Sequence, residues 1–169
     1  MNTPLESKNP YFVPVSDRSC ENMYYRMHRL HNKGWKKTAR FYKFLMWRLF
    51  YCFIPPEAKI GKHLVLPHHG FGVVMNQETS IGDDAIILHN TTFGNGLIEI
   101  GECFTIGAGA SVIGPVKIGD HVTVGANAFV NQDIPSGSLV IGNPGKIIKN
   151  RGKEEIEQIR RKREGFFHE

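Results

Sequence analysis

From residue 75 onward an apolar side chain returns at every sixth position: Met75, Ile81, Ile87 and Phe93, then, after one extra residue, Ile100, Ile106, Val112, Ile118, Val124 and Val130. Neither a helix, whose apolar positions recur near 3.6, nor a half-buried strand, which alternates with a period of about two, produces that spacing. Ile60 and Leu66 open an earlier stretch, out of phase with the series by three. Glycine often follows the apolar residue, as at Gly61, Gly82, Gly101, Gly107, Gly119 and Gly125. Four residues after the apolar position comes a second small or apolar one, as at Ala85, Phe104, Ala110, Val122 and Ala128. The rhythm predicts a chain that turns a corner every six residues, with one short strand per side and its periodic side chain pointing inward. Three sides close one coil, so residues 56–149 read as a mainly β fold, a parallel β-helix of about five coils. Glycine suits corners where φ is positive or where backbone passes close to backbone. An antiparallel sandwich is the alternative, but it would alternate with period two and vary its loop lengths.

Residues 17–53 lack this pattern and read as helices. GWKKTARFYKFLMWRLFYCFIPP sets Phe41, Phe44, Leu45 and Leu49 at helical spacing, puts Lys36, Arg40 and Lys43 on another face, and ends at Pro55 and Pro56. Basic residues interrupt it too often for a membrane span. Residues 1–55 are therefore expected to form a helical extension that caps the open end of the solenoid, which every repeat protein has to cover. Contact of residues 35–53 with a membrane surface is the alternative. After the repeats comes KEEIEQIRRKREG, so residues 150–169 read as a short C-terminal helix and tail.

Composition narrows the setting. The length of 169 residues suits one domain with appendages. Cys20, Cys52 and Cys103 match no zinc spacing and make an odd set for disulfides. The opening MNTPLESKNP has no basic region followed by an apolar core. Both point to a reducing, cytoplasmic compartment, with peripheral attachment at the inner membrane face if the 35–53 segment binds lipid. The net charge of +5 hides a local excess, because Arg18 to Arg48 holds nine Lys or Arg and one acid, Glu21. Such a run attracts anionic lipid, a phosphate-bearing ligand or nucleic acid. No zinc finger or RNA-binding aromatic motif accompanies it, and nucleic acid is set aside as a partner.

The stretch AKIGKHLVLPHHGFGVVMNQETSIGDDAIILHNTTFGN resembles the serine acetyltransferases. The ending SGSLVIGNPGKIIK resembles the closing motif of the hexapeptide-repeat acyltransferases, with Gly145 where alanine is usual. The likeness covers residues 56–149. It implies a left-handed parallel β-helix, a hand opposite to the usual crossover rule, and a homotrimer that binds acetyl-CoA between subunits and requires no metal. On this likeness His68 in LPHHG matches the catalytic histidine, a general base for the acceptor hydroxyl. His89, just before TTFG, and His69 are assigned to the acceptor, although His69, beside His68 in what reads as a strand, should point away from it. Gly94 with Asn95, Gly107 with Ala108, and Gly125 with Ala126 match the small residues along the pantetheine arm. Lys146 matches the basic residue of the closing motif, a partner for a CoA phosphate.

At the acceptor side the chain departs from the family. The aspartate fifteen residues before the catalytic histidine is Phe53, the one immediately before it is Pro67, and the Arg-His loop expected after TTFG is missing. The family's large N-terminal helical domain is represented by residues 1–55 alone. With no carboxylate and arginine to clamp a zwitterion, the expected acceptor is a hydroxyl of a sugar or glycan precursor in polysaccharide synthesis, with L-serine as the alternative. Two readings of other kinds remain. His63 and His68, with His89 as a third, have a spacing that zinc accepts, as in the γ-class carbonic anhydrases. A catalytically silent scaffold is compatible with Phe53. Otherwise His63 and His121 read as exposed corner residues.

Overall fold

The computed structural model describes residues 19–168. The opening MNTPLESKNP and Arg18 lie outside the described residues. Three parallel sheets form the walls of a prism. The first wall stacks Lys59–Ile60, Thr79–Ile81, Ile98–Ile100 and Val116–Ile118, and Ile134 joins it by a bridge to Ile118. The second stacks Ile86–Ile87, Thr105–Ile106, Thr123–Val124 and Ser138–Ile141, with Val65 bridging to Ile86 below. The third stacks Val74–Met75, Thr92–Phe93, Ser111–Val112 and Phe129–Val130, with Phe53 bridging to Val74 below. Each wall is thus five levels high, and its lowest level on the third side is Phe53, earlier than the residue 56 boundary that the repeats predict.

Parallel pairing in register turns the sequence rhythm into vertical apolar columns. Ile81 pairs with Ile100 and Ile100 with Ile118; Ile87 pairs with Ile106 and Ile106 with Val124. All of these are buried, as are the secondary positions Ala85, Phe104, Ala110, Val122 and Ala128. Each large side chain taken fully out of water contributes about 1.5–3 kcal/mol. Of the two uses of glycine at corners, the periodic glycines serve close approach. A Cβ on Gly107 would run into the amide nitrogen of Ala126 in the next coil. Positive φ falls on other residues, such as Asn90, Gly109 and Asn127.

Helix α1 (Ser19–Asn32) lies against the lowest coil and buries Cys20, Glu21, Tyr24 and Met27. The Tyr24 hydroxyl donates to the Ala58 carbonyl at 3.0 Å and accepts from the Ile60 N–H at 3.0 Å. The Tyr25 hydroxyl donates to the Gly61 carbonyl at 2.6 Å and accepts from the Leu64 N–H at 3.0 Å. After a turn at Gly34 (φ +84) comes α2 (Lys36–Phe50). The apolar face expected for α2 is not the one it buries. Ala39 and Met46 are buried and Tyr42 and Phe50 partly so, while Phe41, Phe44 and Leu49 are exposed. A small residue such as Ala39 lets two helices approach closely, which the bulky aromatic side of α2 would prevent.

At the upper end Lys146–Asn150 folds back antiparallel on Ser138–Ile141, a strand that the six-residue pattern does not announce. Helix α3 (Lys153–His168) follows. No helix among the described residues is long and apolar enough to cross a membrane.

Candidate active site

At each level the chain crosses the edge between the second and third walls by a corner. Ile86 to Thr92, Thr105 to Ser111 and Thr123 to Phe129 each take six residues; Val65 to Val74, in the lowest coil, takes nine. Backbone hydrogen bonds show where the extra three lie. The N–H of Gly72 donates to Tyr51 at 3.0 Å, that of Asn90 to Phe71 at 2.8 Å, that of Gly109 to His89 at 3.1 Å and that of Asn127 to Ala108 at 2.9 Å. Gly72 is therefore that column's member in this corner, and the three extra residues fall within Pro67–Gly70. The phase slip between Leu66 and Met75 is this bulge.

The bulge is a short 3-10 turn, Pro67–Gly70, and not the strand expected there. His68 (φ 57, ψ 34) and His69 (φ 57, ψ 25) are both left-handed, and Gly70 follows at φ 67. A left-handed non-glycine residue costs roughly 1–2 kcal/mol, so the surroundings have to hold it. The Glu21 carboxylate accepts the Leu66 N–H at 2.8 Å. Gly70 packs on the Cys52 sulfur, which a Cβ would approach to 3.1 Å. A hydrogen bond with Cys52, and then burial, push the Cys20 thiol up, so Cys20 stays protonated between α1 and the bulge. His69 leans on Phe50, ring centroids 5.6 Å apart, and Phe71 on Tyr51 at 5.8 Å.

The turn brings His68 to His89 of the coil above. Their ring centroids are 5.2 Å apart and the planes nearly perpendicular, at 81°. The His89 Nδ1 is covered and has no hydrogen-bond partner among the described residues. His68 itself is exposed. His69 is not part of this pair. Phe53 sits on the outside of the third wall with the Lys43 ammonium 5.3 Å from its ring centroid, and Pro67 is buried.

Above His89 the same edge carries Ala108 and Ala126 beside Gly107 and Gly125. A Cβ on Gly125 would meet the Ile141 side chain at 2.9 Å, and Ile141 pairs with Lys146. Strands in a sheet lie about 4.8 Å apart, so five steps carry this edge about 24 Å from the His68 level to the Lys146 level. Gly94 and Asn95 are elsewhere, on the edge between the third and first walls, where the Asn76 amide donates to the carbonyls of Gly94 and Gly96. The sequence-matched set therefore divides over two edges.

Within a single chain His63 does not join the His68–His89 pair. His63 Nδ1 lies 2.8 Å from Asp84 Oδ1 at a different corner. Among the described residues no group of three or more His, Cys, Asp or Glu is placed to hold a metal ion. His121 is half-buried, not an exposed corner residue, and its carbonyl accepts from Arg151 at 3.2 Å. Sequence reasoning also missed the supports of the bulge, Glu21, Phe50 and Cys52. For Glu21 a signal existed: it is the single acid in a basic run.

Residues 97–132 match the family profile of the bacterial transferase hexapeptide (six repeats). Serine acetyltransferase 4 of Arabidopsis thaliana is 38% identical over 128 residues, which is 72% of this chain and 36% of that protein. The crystal structure of Neisseria gonorrhoeae serine acetyltransferase is similar with a TM-score of 0.74 and 29% identity, over 82% of this chain and 56% of that one. A serine acetyltransferase solved in complex with CoA is similar with a TM-score of 0.72 and 29% identity, over 76% of this chain and 55% of that one. The chain spans between 36% and 49% of the length of the curated relatives it matches.

Proposed function

We propose that this chain, a hexapeptide-repeat protein of the serine acetyltransferase-like kind, transfers an acetyl group from acetyl-CoA to a hydroxyl, with His68 as general base. A ring nitrogen of His68 takes the hydroxyl proton as the oxygen attacks the thioester carbonyl. The tetrahedral adduct collapses with release of the CoA sulfur, which receives the proton back from the imidazolium. His89 holds the His68 ring from above by edge-to-face contact.

The observation that carries this reading is the three-residue bulge, which sets a strained, exposed histidine at the foot of an edge of small residues ending at Lys146. Small side chains leave the backbone open to the pantetheine arm, and Lys146 supplies a cation for a CoA phosphate. A homotrimer, with each groove completed by the neighbouring protomer, follows from the same family likeness.

The relatives' names favour L-serine as the acceptor. One specific observation favours a second reading, a sugar or glycan hydroxyl. Pro67 stands where a carboxylate would meet the amino acid and Phe53 where one would orient the histidine, and Tyr51 and Phe71 offer flat, exposed apolar faces beside the bulge. Thiol release from acetyl-CoA, measured with L-serine and with nucleotide sugars, tests both. Turnover with L-serine is expected, lowered about a hundredfold or more by His68→Ala with CoA affinity retained. Turnover with sugars alone would move the conclusion to the second reading. A His68→Ala enzyme within about threefold of wild type would remove His68 from the role of base.

A further inference from the structure

Acetyl transfer makes no use of the outward side of α2. Opposite the buried Ala39 and Met46, the helix turns Phe41, Phe44 and Trp47 to solvent at 57%, 52% and 50% exposure, and Trp35 precedes it at 64%. Lys36, Lys37, Arg40 and Arg48 are exposed between these rings. From Lys33 to Pro56 the chain holds six Lys or Arg (33, 36, 37, 40, 43 and 48) and no Asp or Glu.

We propose that this face of α2 docks flat on an anionic lipid bilayer. The helix is too short and too basic to span one, and at 15 residues it is about 22 Å long, enough to lie along the headgroup boundary. Aromatic rings settle at that boundary, while the long stems of Lys and Arg cover apolar surface and carry their charges to the phosphates. An acidic protein would satisfy the charges but would need a pocket for each of the interleaved rings. On a bilayer every ring meets acyl chain and every cation meets phosphate. Tyr51 and Phe71, exposed at 57% and 51% with ring centroids 5.8 Å apart, continue the apolar surface from the end of α2 to the His68 bulge. A docked protein therefore presents its catalytic corner close to the membrane.

The test uses the full chain and vesicles of phosphatidylcholine with and without phosphatidylglycerol. The chain's two tryptophans, Trp35 and Trp47, both belong to this face, so their emission and its quenching by brominated lipid report insertion directly. Binding is expected to the anionic vesicles only and to weaken steeply with salt. It should fall about a hundredfold or more when Lys36, Lys37, Arg40 and Arg48 are all changed to Gln. Phe44→Ser should weaken binding without lowering the melting temperature, since that ring is exposed. Failure to bind anionic vesicles at low salt overturns the proposal. So does equal binding to neutral vesicles, or self-association or RNA binding through this face in place of lipid. Turnover of acetyl-CoA is measured without vesicles, so the two readings fail independently.

Discussion

One edge of the prism carries corners of two kinds. Those at 86–92, 105–111 and 123–129 are six-residue steps, each held by hydrogen bonds to the corner beneath and packed against the one above. The lowest, from Val65 to Val74, has three residues more and nothing of its kind below it; Glu21 of α1, Cys52 and Phe50 hold it instead. Stacking makes the upper corners alike. An irregular corner, carrying two left-handed histidines, exists only because helices outside the repeat support it.

If stacking holds the upper corners, a side chain between coils should be costly there. Gly107→Val is expected to lower stability by about 3 kcal/mol, read by equilibrium urea unfolding, because the coils have to part around it. At the bulge His68→Gly should cost nothing in the same measurement. A loss of similar size at both positions would erase the distinction.

If the lowest corner rests on α1, cutting the helix's anchor should weaken it. Tyr24→Phe removes a hydroxyl that bridges Ala58 and Ile60, both in the buried seam, at an expected cost of about 1–3 kcal/mol. Burial pushes the Tyr24 phenol above its ordinary range, so in alkali the unfolded chain ionises before the folded one. Its contribution is complete below about pH 10 and declines above it by at most about 1.4 kcal/mol per pH unit. Tyr24→Phe should flatten that decline in alkaline unfolding curves.

The smallest expected effect is at His69. A glycine there relieves left-handed strain but gives up the Phe50 contact and adds freedom to the unfolded chain. A net gain of up to about 1 kcal/mol is expected in thermal unfolding, and a loss would mean that the bulge is not strained.

The walls were legible because one inward residue per side has to be apolar whatever its neighbours do, and Ile87, Ile106 and Val124 obey that alone. His68 was legible as a candidate through its flanking motif. Its backbone was not, since a left-handed pair of histidines depends on Glu21 and Cys52, residues remote in sequence. Yet the three-residue phase slip already marked where the repeat was interrupted. The buried face of α2 was misread because Ala39 and Met46 carry little hydrophobic signal beside Phe41 and Phe44. Asn95 was grouped with Ala108 by local similarity, and only the count of sides around the prism separates them.

A stack of parallel strands offers its neighbours an open row of amide and carbonyl groups at each end, an invitation to grow into a fibre. The turned-back strand Lys146–Asn150 runs against the direction of the wall it covers and exposes every one of its side chains, lysines among them. With α1 across the foot of the prism and this reversed, charged strand along the second wall's upper edge, end-to-end polymerisation finds no matching template.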